Sequence, residues 1–129
     1  MEINWLAVFA AAASSFVLGG LWYSALFAKQ WQTAAGVTDE QIKNGNMGLI
    51  FGGSFVLSLI ASASFAVFLG ADVNAMTGAL YGLTAGLCWV AASFGMNYLF
   101  ERKNLPLFLI NGGYHTLQFT LIGLILGAL

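Results

Sequence analysis

Charge is what this chain has least of. Only four Lys/Arg and five Asp/Glu occur in 129 residues, against 60% hydrophobic residues. A water-soluble fold of that composition would lack the polar surface needed to stay dispersed. With a mean hydropathy of +0.85, the chain reads as an integral membrane protein. Its one cysteine, Cys88, excludes an internal disulfide and a paired-cysteine metal site, and says nothing of redox compartment. The one histidine, His115, offers too few ligands for a dedicated zinc centre, and no metal-spaced acidic cluster accompanies it. No serine stands in a nucleophile-elbow context, and Gly45-Asn46-Met47-Gly48 and Asn111-Gly112-Gly113 are too short to count as phosphate motifs. No metal, cofactor or nucleic-acid partner is therefore expected.

What the chain has in abundance is long apolar runs. Crossing a hydrocarbon core of ~30 Å takes ~20 helical residues at 1.5 Å rise each. Four runs of about that length, 4–27, 46–70, 75–100 and 105–128, predict an all-α fold. It is a single domain over 1–129, an integral bundle of four transmembrane helices threaded up-down-up-down. All four basic residues fall in two stretches, Lys29 with Lys43 and Arg102 with Lys103. Loops 28–45 and 101–104 are thus expected to be cytoplasmic and both termini outside. The opposite side carries Glu2 and the turn at 70–74 with Asp72. The first span lacks the basic leader of a secretory signal and is expected to be retained. In the loop 28–45, Thr38-Asp39-Glu40-Gln41 has capping-box spacing and predicts a short helix at the inner surface ending near Asn44. Trp31 beside Lys29 reads as an interfacial belt residue.

Gly78, Gly82 and Gly86 recur every fourth residue, and Gly123 and Gly127 repeat that spacing in the last span. Such faces let helix backbones approach closely, within one bundle or between protomers. Ser54, Ser58 and Ser62 form a further small stripe, whose hydroxyls are expected to bond back to their own helix. Tyr23 to Lys29 and Tyr98 to Lys103 end the first and third spans alike, a hint of two parallel hairpins.

Polar side chains at hydrocarbon depth need a partner or a water-filled cavity, which makes them the natural candidates for function. Asn111, Tyr114, His115 and Gln118 follow i, i+3, i+4, i+7 spacing and share one helical face. Counted from Pro106, a good first-turn residue, His115 lies ~14 Å along the axis, near the midplane. Antiparallel threading brings Asn97 and Glu101 of the third span, Trp22 and Tyr23 of the first, and Asn46 of the second to the same half. We expect Trp22, Tyr23, Asn46, Asn97, Glu101, Asn111 and His115 to line one inward-opening pocket with His115 at its floor. His115 either carries protons or a ligand, or is a buried histidine satisfied by Asn97, Tyr23 or a carbonyl. Glu101 next to Arg102 is either a proton entry point or a solvated interfacial pair.

The stretches Gly20-Leu21-Trp22-Tyr23-Ser24, Gly45-Asn46-Met47, Asn97-Tyr98-Leu99-Phe100-Glu101 and Leu109-Ile110-Asn111-Gly112-Gly113-Tyr114-His115 together resemble a bacterial membrane family, domain of unknown function 1761. The resemblance spans essentially the whole chain. It implies a small four-helix protein of the bacterial inner membrane and groups those residues into one site, without supplying an activity, substrate or cofactor. Ala25 departs from it, standing where proline is expected.

Three function classes fit. The first is a ligand-binding or structural subunit, alone, as a homo-oligomer or in a larger membrane complex, holding a polar or amphipathic small molecule. The second is a small-solute or proton-linked transporter acting as a homo-oligomer. The third is a membrane enzyme with His115 as general acid/base. Satisfied polar clusters and small-residue packing explain the sequence without turnover, which favours the first.

Overall fold

Four asparagines begin the four long helices of this protein. The computed structural model describes residues 3–129, so the placement expected for Glu2 lies outside it. Asn4, Asn46, Asn74 and Asn104 each sit in extended backbone and accept, through the side-chain oxygen, the backbone N–H three residues on. Those N–H groups have no partner within the helix, and an uncharged cap satisfies one of them at a membrane surface without adding a formal charge. The helices so started are α1 (Trp5–Gly20), α4 (Met47–Leu69), α5 (Ala75–Thr84) and α7 (Leu105–Ala128). Between α1 and α4 lie two short helices, α2 (Ala28–Ala35) and α3 (Asp39–Lys43). The second opens with a complete capping box, Thr38 and Gln41 exchanging side chain and backbone bonds.

Two of the rods are not α-helical throughout, which the apolar patterning did not foretell. After α1 the chain continues as a π-helix, Leu21–Leu26, closed by the Phe27 N–H donating to the Trp22 carbonyl. After α5 a second π segment, Ala85–Ala91, leads into α6 (Ala92–Glu101). Both lie against α7. The extra residue in a π turn re-aims the side chains that follow it.

Three continuous helical stretches, Trp5–Leu26, Met47–Leu69 and Ala75–Glu101, are long and apolar enough to cross a membrane, with mean hydropathies of 1.7, 1.9 and 1.4. The 24-residue α7 is long enough at ~1.5 Å per residue, but its polar side chains keep it out of that apolar class. Large apolar side chains cover the outside, with Leu99 at 81% and Phe100 at 90% exposed. Such a girdle suits lipid far better than water.

Packing centres on α7. The α5–π–α6 rod lies along it with Gly78 opposite Gly123, Gly82 opposite Phe119, and Gly86 opposite His115, while Gly127 faces Asn74. Each four-residue step forward on one rod is a four-residue step back on the other, so the two run antiparallel. A Cβ on Gly78, Gly82, Gly123 or Gly127 would overlap a facing backbone carbonyl. On Gly86 it would come within 2.6 Å of the His115 carbonyl oxygen. Across the other flank α1 runs antiparallel to α7, from Asn4, whose amide donates to the Leu129 carbonyl, to Trp22, whose indole N–H donates to the Ile110 carbonyl at 2.8 Å. In turn α4 packs along α1, and a small apolar core of Ala11, Phe65, Ala85 and Ile122 forms where the rods meet.

Adding side-chain volume at the tightest crossing should be costly. Gly82→Val is expected to destabilise the protein by ~2 kcal/mol or more, since the neighbour is backbone and cannot repack. Gly52→Ala, which points into open space, should leave the thermal midpoint in mild detergent unchanged or raised. Equal midpoints for the two variants would show that the glycine contact does not hold the rods.

Candidate functional site

The polar face of α7 meets its partners along a line of side-chain hydrogen bonds. Nearest its start, Asn111 is held at both ends of its amide. Tyr23 donates to Oδ1 at 2.6 Å, and Nδ2 donates to the Tyr98 hydroxyl at 2.7 Å. The two tyrosines that end the first and third rods alike thus converge on one side chain. A turn further on, the Tyr114 hydroxyl donates to the Ser15 carbonyl at 3.0 Å and stands 3.4 Å from the Ser15 hydroxyl. Gln118, buried, donates from Nε2 to Ser15 Oγ at 2.6 Å. Ser15 Oγ in turn lies 3.4 Å from Ser58 Oγ, so this fully buried serine is the hub where α1, α4 and α7 meet.

His115 is joined to that hub at one nitrogen only. Its Nδ1 lies 2.6 Å from Gln118 Oε1. The amide nitrogen of Gln118 is committed to Ser15, so its oxygen faces the ring and Nδ1 carries the proton. The neutral ring is then the Nδ1–H tautomer, with a lone pair on Nε2. Among the described residues nothing is bonded to Nε2, nor is it a sealed orphan. The ring stacks on Phe94, with centroids 4.8 Å apart and planes at 11°, and meets Tyr114 edge to face.

His115 is part of the wall of a cavity of about 460 Å³ in the half of the molecule nearer residues 28–45. Phe16, Phe51, Phe94, Trp31 and Ile50 make it apolar, and Gly19 and Gly20 leave it room against α1. Its polar lining comes from Tyr23, Ser24, Ser54, Ser58, Asn111, Tyr114 and His115. The volume lies in the range of small-molecule sites, ~300–1,000 Å³.

Of the residues expected to share one pocket, Tyr23, Asn111 and His115 do so, joined by Tyr114; Gln118 lies behind the wall. Trp22, Asn46, Asn97 and Glu101 do not. Consecutive positions on a helix do not share a face, so Tyr23 reaches Asn111 while Trp22 lies against Gly113 in a separate groove. Asn46 is spent as the cap of α4. Asn97 is exposed and lines a shallow groove with Trp89 and Ser93, and Glu101 is exposed at the end of α6. Of the partners expected for His115, Asn97 and Tyr23 are not used, and its Nδ1 meets a carbonyl oxygen, that of the Gln118 side chain. Sequence reading overlooked Ser15 and Phe94. Ser15 had a signal, since Ala7, Val8, Ala11, Ala12 and Ser15 form one buried small-residue face of α1. Among the described residues no three His, Cys, Asp or Glu side chains gather as metal ligands do.

The family model described as "Protein of unknown function (DUF1761)" matches residues 6–127. The chain belongs to this family. Neither the curated proteins nor the solved structures compared with it give a match. The matched region includes every residue of the cavity wall and of the hydrogen-bonded line behind it.

The serine stripe on α4 departs from the back-bonding expected of it. Ser58 faces Ser15, Ser54 lines the cavity, and Ser62 Oγ is buried with no partner among the described residues. An unpaired buried hydroxyl costs ~1–3 kcal/mol, so Ser62→Ala should raise the thermal midpoint in detergent. A lower midpoint would mean that the hydroxyl has a partner after all.

Proposed function

We propose that this protein binds an amphipathic small molecule in the cavity between α1, α4, α6 and α7. One observation carries the reading: on the polar face of α7 Asn111, Tyr114 and Gln118 are committed to protein partners, whereas His115, which lines an aromatic-walled cavity, has none at Nε2 among the described residues. A partly buried polar group without a protein partner is completed by a ligand or by water. The apolar core of Ala11, Phe65, Ala85 and Ile122, with Leu69 and Phe119 packed on it, separates this cavity from the groove at the other end, lined by Asn4, Gly70 and Leu129. That plug favours binding over transport of a solute from side to side. Acid/base chemistry with Glu101 is disfavoured by the carboxylate's exposed position at the end of α6.

The site would sit in an up-down bundle of four membrane-spanning helices in the bacterial inner membrane, α7 being the fourth. Its polar face would be turned inward, with both termini outside. In support, Asn4 meets Leu129 and the turn at 70–74 lies beside them. At the opposite end Asn104 donates to the Ala34 carbonyl, bringing the Lys29 and Arg102–Lys103 segments together. All four basic residues then occupy the cytoplasmic side.

Native mass spectrometry of the protein purified in mild detergent should find a stoichiometric small molecule, absent from His115→Leu while that variant stays folded. A stoichiometric foreign subunit and no small molecule would instead make the chain an accessory subunit. For the threading, Gln32→Cys and Asp72→Cys, each placed in a Cys88→Ala background, should react with a membrane-impermeant maleimide from opposite sides. Labelling from one side would overturn the four-span topology.

A further inference from the structure

We infer that the cavity's ligand is a lipid-soluble ring compound bearing an O–H or N–H donor, which it directs at His115 Nε2, and that it enters from the hydrocarbon of the bilayer. The inference rests on the binding role proposed above and assigns it a chemistry and a route.

The donor follows from the tautomer. With Nδ1–H committed to Gln118, and Gln118 tied to the buried Ser15, the acceptor left to the cavity-lining imidazole is its Nε2 lone pair. A carbonyl or ether group gains nothing from that acceptor, and a hydroxyl or ring N–H does. The ring follows from the walls. Phe94 already stacks on the imidazole, and on the α1–α4 side of the cavity Phe16 packs edge to face against Phe51, with centroids 5.9 Å apart. Flat aromatic faces at two sides of a cavity of about 460 Å³ match a flat guest better than a flexible chain. Among the described residues no charged side chain lines the cavity, so none of them would compensate an ionic group brought out of water.

The route follows from how the rods are arranged. The packing sequence is α4 on α1, α1 on α7, and α7 on the α5–π–α6 rod. Between α4 and α6 there is no comparable packing. The cavity lies at that seam, with Ile50, Phe51 and Ser54 on the α4 side and Phe94 on the other. Toward the 70–74 turn the seam is bridged by Phe68 and Trp89, whose rings meet edge on at 6.1 Å. Ile50 and Phe51 are about half exposed, at 48% and 53%, so the mouth is framed by apolar side chains that lipid would touch.

The test uses three probes of one ring system on the protein in lipid nanodiscs, read by saturable quenching of tryptophan fluorescence with Trp31→Phe as locator. 2-Naphthol should bind, and its methyl ether should bind roughly tenfold more weakly, the scale of a buried acceptor left without its donor. His115→Phe should bring the two together. The anionic 6-sulfonate of 2-naphthol, with the same ring and donor but confined to water, should neither bind nor compete. Equal affinity for alcohol and ether, or no binding of either, overturns the donor-bearing ring, and the wild-type comparison decides this even if His115→Phe does not fold. A preference for the alcohol that survives in folded His115→Phe removes the histidine from its recognition. Binding of the sulfonate as tightly as naphthol overturns access through the bilayer. A co-purified ligand lacking any donor would leave the binding role standing and this chemistry refuted.

Discussion

The backbone contact between α7 and the rod from Ala75 to Glu101 is the constraint on which the remaining structure depends. In lipid there is little hydrophobic gain from bringing two apolar helices together, so association rests on close packing and on hydrogen bonds between helices. Gly78, Gly82 and Gly86 remove the side chains that would hold the rods apart, and Gly123 and Gly127 do the same from the other side. Once the backbones touch, the register between them is set by carbonyls and Cα atoms, with no flexible side chain to blur it. The opposite face of α7 is thereby aimed at α1, with Tyr114 and Gln118 facing Ser15.

That second contact is polar where the first is bare. Ser15, with no exposure to solvent, receives the Gln118 amide and lies within reach of Ser58 and Tyr114. A serine at such a junction accepts and donates in the volume of a small side chain, so α1 can lie close to α7 and still complete its polar partners. The two contacts work in series: glycine packing fixes how α7 is rotated, and the serine hub fixes what His115 can do with its two nitrogens. The histidine, with Nδ1 committed to Gln118, keeps its acceptor at Nε2 because of bonds made at its other nitrogen.

How much of this was legible depends on the range of the interaction. Helical character and membrane compatibility follow from apolar run length, a local property, and so does the Thr38 capping box. The shared face of Asn111, Tyr114, His115 and Gln118 is likewise a matter of period within one helix. Side-chain destinations across helices were less accessible. Trp22 and Tyr23 are neighbours that part company because consecutive helical positions do not share a face, and the π turn at Leu21–Leu26 that carries them is announced by no residue in that segment. Asn46 was read as a pocket residue on the strength of its polarity at one end of a span, when an asparagine immediately before an apolar run is also an N-cap. Asn97 and Glu101 lie one turn apart and share a side of α6, but that side faces outward, and only the glycine register reveals it.

The four asparagine caps also separate two properties that membrane proteins often write with the same residues. In many helices an acidic or basic side chain at the end both satisfies the backbone and supplies charge to the flanking loop. Here the caps are neutral, and Lys29, Lys43, Arg102 and Lys103 take no part in them. Asn4 and Asn104 go further, since the same amide that accepts at one helix start donates to the last carbonyls of another helix, which aspartate cannot do. At these four helix starts, backbone capping and loop charge are therefore independent variables. Removing Lys29 or Lys43 would change the loop charge that guides insertion and leave these four starts tied.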